Sequence, residues 1–144
     1  MHIFSPYIIA IIAGWVIAQG VKYVLVAIKN RNFDHFRQLY LSGNMPSAHS
    51  ATSVALCVMV GLRDGTGSAL FAIAALLAGI VMYDAVMVRR SSGEQGIAIH
   101  ALIALAKNKD IALPRAARGH TPLEVAVGAL LGMIIGLVVF LATK

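Results

Sequence analysis

Residues 5–28, about 65–88 and 121–143 are each apolar for long enough to cross a bilayer, which takes roughly 20 residues of helix. A backbone inside hydrocarbon has no water to bond to, so such stretches must be helical and must pack on one another. The composition agrees: 59% of residues are hydrophobic, 12% are charged, and the mean hydropathy is +0.81, far from a soluble domain. Residues 47–62 are shorter and carry His49, Thr52 and Ser53, so they span only inside a bundle that covers those polar groups. The amino-terminal segment has neither a basic leader nor a small-residue cleavage site and reads as a retained helix. The expected fold is one all-α polytopic membrane bundle over residues 1–144. It has four spans plus short interfacial or re-entrant helices, or five spans if 96–106 cross.

Two polar points interrupt this apolar chain. In residues 43–57, Gly-Asn-Met-Pro-Ser-Ala-His-Ser-Ala-Thr-Ser-Val-Ala-Leu-Cys, a turn runs straight into a helix. Pro46 has its φ preset and Ser47 is a capping residue, so the free amides that follow form an anion site with His49 in the first helical turn. The second point, Gly119-His120-Thr121-Pro122-Leu123-Glu124, repeats the design, with His120 and Glu124 on one face of the next helix start.

The remaining polar residues are less specific. Lys22 in the first helix either snorkels to headgroups or serves the site. Residues 30–42 set Phe33, Phe36, Leu39 and Tyr40 at helical spacing against Arg31, Asp34, His35 and Arg37, an interfacial helix with His35 solvated. Arg63-Asp64-Gly65-Thr66-Gly67 reads as a tight reversal at the far face. The third helix is expected to end at Met82-Tyr83-Asp84, ahead of a polar stretch up to Gln95; Asp84 needs a partner, Lys22 or an arginine. The apolar run Gly96–Ala106 is short for a span, and His100 within it reads as a packing residue. Residues 107–118 form a basic loop. The lone Cys57 excludes an internal disulfide framework and reads as a buried structural thiol.

With four spans, loops 29–46 and 89–119 share one side and hold Lys29, Arg31, Arg37, Arg89, Arg90, Lys107, Lys109, Arg115 and Arg118. The other side has Arg63 and Lys144, so the motif-bearing side is expected to be cytoplasmic. The net charge of +6 divides among topology, anionic headgroups and a phosphate site; no base-stacking module suggests nucleic acid.

Steps of four give His49, Ser53, Cys57 and Gly61 in the second helix, and His120, Glu124, Gly128, Gly132 and Gly136 in the last. Small-residue stripes let membrane helices approach closely, and docking along them brings both histidines to one end. The alternative use of Gly128, Gly132 and Gly136 is a homodimer face. If the histidines converge, neutral His120 can attack phosphorus while Glu124 holds its other ring nitrogen, and His49 can protonate the leaving group. Lys22, Lys29, Arg89, Arg90, Arg115 and Arg118 are the cations available for phosphate oxygens, and their excess argues against a divalent metal.

At these residues the sequence resembles a known family. Pro46-Ser47-Ala48-His49 is similar to the Pro-Ser-Gly-His motif of the type 2 phosphatidic acid phosphatase and vanadium haloperoxidase superfamily, and His120-x-x-x-Glu124 to its His-x-x-x-Asp. Together Met45–Ala51, Tyr83-Asp84, Arg89–Gln95 and Gly119–Val125 resemble the small divergent membrane branch, over nearly the whole chain. The resemblance implies a metal-independent phosphatase with a phosphohistidine intermediate and no cofactor. His120 would be its nucleophile, Glu124 the orienting carboxylate and His49 the acid, with Ser47 and the Ala48 amide on phosphate.

The chain departs from the family in three places. Lys22 and Lys29 match the first motif loosely, with Asn30 at its proline; Pro114 stands where the third motif opens with Ser-Arg; and the carboxylate is Glu. Arg115, Arg118 or the Arg89-Arg90 pair would then replace the missing arginine. The expected substrate is a membrane lipid phosphate monoester, first phosphatidylglycerophosphate, with phosphatidic acid or a polyprenyl diphosphate as alternatives. The bacterial inner membrane is the expected location, with the site facing the cytoplasm. A non-catalytic module that binds lipid phosphate is the competing class.

Overall fold

The computed structural model describes residues 5–31, 45–106, 111–113 and 119–144; these residues contain helices and no strand. Helix α1 is Pro6–Asn30, α2 is Ala48–Asp64, α3 is Ala69–Tyr83, α4 is Arg89–Leu105 and α5 is Pro122–Ala142. A π-turn, Asp84–Val88, joins α3 to α4 without a break. The chain is an all-α membrane bundle. Pro6–Lys29, Ala69–Leu105 and Pro122–Ala142 are long and apolar enough to cross a membrane. The expected interfacial helix over 30–42 and most of the basic loop over 107–118, with His35, Lys107, Lys109, Arg115 and Arg118, lie outside the described residues.

The fourth helix of the bundle, α2, has 17 residues, about 26 Å at 1.5 Å per residue, and packs against α1, α3 and α5. Its buried residues Ala48, Ser50, Ala51, Ser53 and Ala55 are small. Helices meeting there come backbone to backbone, which is how membrane helices gain packing energy where lipid leaves little hydrophobic drive between them. Helix α1 contributes a matching buried row at steps of four, Ala10, Gly14 and Ala18, with Lys22 the next member.

The closest approach is between α2 and α5. A Cβ on Gly128 would lie 2.5 Å from the Ser47 carbonyl oxygen, one on Gly132 2.4 Å from that of Ala51, and one on Gly136 2.8 Å from that of Ala55. The three glycines are thus taken up by α2 of the same chain, and a contact between copies through them would have to displace α2. The face of α2 that they meet is Ser47, Ala51 and Ala55, not the expected row His49, Ser53, Cys57 and Gly61. Gly61 instead sits under the Phe71 ring of α3. Two positions of helix separate these rows, which turns His49 away from the glycine seam.

A second correction concerns residues 84–106. The expected break after Asp84 is absent: Arg89–Gln95 is helical, and Gly96–Leu105 continues the same helix. The polar residues of this stretch satisfy their backbone bonds within the helix, so they mark a change of surroundings along it and not its end.

At the far end, Tyr7 donates to Asp64 at 2.6 Å and Arg63 reaches the Thr143 carbonyl at 3.5 Å, tying α1, α2 and α5 together opposite the histidines. Gly65, at φ 85°, turns the chain into α3, whose first turn is capped by Ser68 accepting from the Phe71 amide.

A methyl group on Gly132 should force α2 and α5 apart and cost about 1–3 kcal/mol. Gly79→Ala, where an added Cβ meets nothing within 4 Å, should be neutral or slightly stabilising. Unfolding of the two variants in detergent checks this; equal stability of Gly132→Ala and wild type would contradict the seam.

Candidate active site

Helix α5 starts with a complete capping box. The Thr121 hydroxyl accepts from the Glu124 amide at 3.3 Å, and the Glu124 carboxylate accepts from the Thr121 amide at 2.9 Å. The carboxylate oxygen that caps, Oε2, also lies 3.2 Å from Nδ1 of His120. An ionised carboxylate only accepts, so Nδ1 carries the proton and Nε2 is left with its lone pair. His120 is 3% exposed. Its own amide donates to the Ala85 carbonyl in the π-turn at 3.0 Å, which brings α3 and α4 to the site.

The α2 start is joined to this assembly through the backbone. The Ser47 amide donates to the Glu124 carbonyl at 3.1 Å, so the residue that caps α2 is bonded to the residue that caps α5. Ser47 is fully buried, with its hydroxyl accepting from the Ser50 amide at 3.4 Å and the Ser50 hydroxyl at 3.0 Å. Its place is therefore to fix the helix start, with Ala48 as the first helical residue and His49 exposed beside it. The Met45–Pro46 peptide leading into this start is cis.

Partial burial first, then the charges of Arg89, His120 and Lys22, push the His49 imidazole below its ordinary value of 6.5, with Asp84 opposing; these groups come from α4, the α5 start, α1 and the π-turn. His120 faces Glu124, Lys22 and Arg89. Both imidazoles thus share the electrostatic neighbourhood of the same two cations. Lys22 is 3% exposed: it follows the buried row of α1 inward, towards Glu124, instead of snorkelling outward. Asp84 takes Arg89 as its partner at 2.5 Å across the π-turn. Arg90 turns its guanidinium to Glu94, 3.2 Å away on an exposed face. Lys29 is exposed seven residues beyond Lys22, about 10 Å further along α1. Arg118 lies outside the described residues.

Burial pushes the His120 imidazole below its ordinary value of 6.5, and the hydrogen bond and charge of Glu124 only partly oppose that. The ring is therefore neutral at pH 7, as a nucleophile must be. No group of three or more histidine, cysteine, aspartate or glutamate side chains suited to a metal ion occurs among the described residues.

Three contacts here are beyond sequence reasoning: the Ser47–Glu124 backbone bond, the Ala85 carbonyl bonded by the His120 amide, and the packing of Gly119 on Arg90, where a Cβ would lie 2.3 Å from the backbone nitrogen. Only the last had a signal, a glycine immediately before the histidine.

Comparison with known proteins adds a family. The family described as "Divergent PAP2 family" matches residues 4–135. A relative from Bacillus subtilis (strain 168), "Uncharacterized membrane protein YuiD", is 36% identical over 143 residues, covering 88% of this chain and 89% of the relative. No solved structure matches.

The lowered proton affinity of His120 has a definite sign. The folded ring binds its proton less readily than the unfolded one, so stability should fall as pH drops through about 6.5 and level off below the folded midpoint. Glu124→Gln removes the opposing attraction and should lower the midpoint further. Titration of histidine ring resonances checks both; a His120 midpoint above 6.5 would contradict the burial argument.

Proposed function

The chain belongs to the divergent PAP2 family, and on that premise we propose that it is a lipid phosphate phosphatase working through a phosphohistidine at the cytoplasmic membrane face. The observation that carries the reading is the His120–Glu124 pair: a buried, neutral imidazole with Nδ1 held and Nε2 unprotonated, in the same ring of charge as His49, Lys22 and Arg89.

The chemistry follows from those atoms. His120 Nε2 forms a bond to phosphorus while the bond from phosphorus to the lipid oxygen breaks; the imidazolium that results is stabilised by Glu124 through Nδ1. Partial burial and the charges of Arg89 and Lys22 hold the His49 imidazole below its ordinary value, so it takes up a proton as the anionic phosphate group enters and gives that proton to the departing alkoxide. The same residue, now neutral, takes a proton from water as the oxygen attacks phosphorus, releasing phosphate and regenerating His120. Lys22 and Arg89 neutralise the non-bridging oxygens, and Arg89 exchanges part of its pairing with Asp84 for the phosphate. The Ala48 amide, at the first position of α2, adds a donor and the positive end of the helix. Ser47 contributes by holding that helix start in register with Glu124. No step requires a metal.

The orientation rests on charge. In the sequence, loops 29–46 and 89–119 hold Lys29, Arg31, Arg37, Arg89, Arg90, Lys107, Lys109, Arg115 and Arg118, against Arg63 and Lys144 in the remaining ones, which favours a cytoplasmic site in the bacterial inner membrane. A glycerophospholipid with a terminal monoester presents its phosphate at that face, with phosphatidylglycerophosphate as the first substrate and phosphatidic acid or a polyprenyl diphosphate next.

Purified protein in excess chelator should release phosphate from short-chain versions of these lipids, and vanadate should inhibit it. His120→Ala should abolish turnover, and His49→Ala should lower kcat by about 10²- to 10⁴-fold. Substrate binding with no phosphate release would overturn the enzyme reading in favour of a binding module, and loss of activity in chelator would overturn the metal-independent mechanism.

A further inference from the structure

The π-turn lies where His120, the one histidine buried among the described residues, is bonded to a neighbouring helix, and its hydrogen bonds explain how. In an α-helix the Arg89 amide would donate to the Ala85 carbonyl, four residues back. Here it donates to the Asp84 carbonyl, five residues back. Ala85, 1% exposed, is left with a carbonyl stripped of its usual donor, and the His120 amide fills the position at 3.0 Å. The chain just before His120 reaches that depth because residue 119 has no side chain. A Cβ there would lie 2.3 Å from the Arg90 amide nitrogen, 2.5 Å from its Cα and 2.8 Å from the Arg89 carbonyl carbon, all backbone atoms of α4 that cannot swing aside. The Asp84–Arg89 pair bridges the two ends of the same turn.

We infer that the π-turn Asp84–Val88 is the seat of His120, and that Gly119 is a positioning residue whose missing side chain lets the histidine drop onto the freed Ala85 carbonyl. The turn thus presents both Arg89 and the freed Ala85 carbonyl to the segment carrying His120. Only the kinetic consequence rests on the phosphatase reading; the seat itself does not.

Two measurements on the full-length protein in detergent test this. In the wild type, hydrogen exchange should find the His120 amide protected well above an open loop; exchange at the rate of an unbonded peptide overturns the seat. Gly119→Ala should lift the loop, with Gly79→Ala as the control glycine on the same continuous helix. The expected result is carbethoxylation of His120, followed by mass spectrometry, faster by about tenfold or more in Gly119→Ala and unchanged in the control. On a lipid phosphate substrate, kcat should fall with KM held, and the acid limb of the pH profile should move up towards the ordinary histidine value as the ring is uncovered. A folded Gly119→Ala whose His120 reacts within about twofold of wild type overturns the inference, since a seat worth so little positions nothing. If that variant does not fold, the wild-type exchange measurement decides by itself. Labelling and exchange need no turnover, so an inactive wild type would refute the phosphatase while leaving this inference to its own result.

Discussion

Everything at the site depends on the contact of α2 with α5 at backbone distance. Gly128, Gly132 and Gly136 receive the carbonyl oxygens of Ser47, Ala51 and Ala55, leaving no room for a methyl group anywhere along the seam. Because the approach is that close, the Ser47 amide can reach the Glu124 carbonyl, and two helix starts far apart in sequence share one hydrogen bond. The register of the seam therefore sets the separation of His49 and His120. A bundle packed through large side chains would hold its helices further apart and could not hold that register through the main chain.

On this frame Lys22 and Arg89 act on the two histidines together with Glu124 and Asp84. Lys22 is buried at the end of an apolar row of α1, a costly position for an ammonium unless a negative partner is near, and Glu124 is the carboxylate that acts on it. Glu124 already serves two donors, the Thr121 amide and His120 Nδ1. Around the two histidines the described charges therefore balance, Lys22 and Arg89 against Glu124 and Asp84, with Arg89 paired to Asp84.

Much of this was legible in the sequence. Long apolar blocks admit only helices, so the bundle followed from hydropathy, and the Ser-x-x-x and Thr-Pro-x-Glu starts announced both helix ends that bear histidines. Helix period alone put Glu124 under His120 and the three glycines on one line. The phase of α2 differs from the expected one because the seam runs through the capping Ser47 and not through His49: steps of four from Ser47 give the row that packs. The inward aim of Lys22 was equally available from the row Ala10, Gly14, Ala18 on the same helix. The continuation of α3 through Asp84 into α4 was not, since a polar run in a membrane protein looks like a loop and a π-turn has no composition of its own. Nor can spacing show which carbonyl is left unbonded for a residue thirty-five positions away.

The most direct test of the central claim is whether one phosphorus atom touches both rings. With a non-hydrolysable phosphonate lipid bound to protein labelled with 15N in its histidines, 31P–15N dipolar dephasing in the solid state reports each ring nitrogen near the phosphorus. The account predicts dephasing at His49 and at His120, and none at His100. Dephasing at only one of the two, or at neither while the lipid is demonstrably bound, would contradict it.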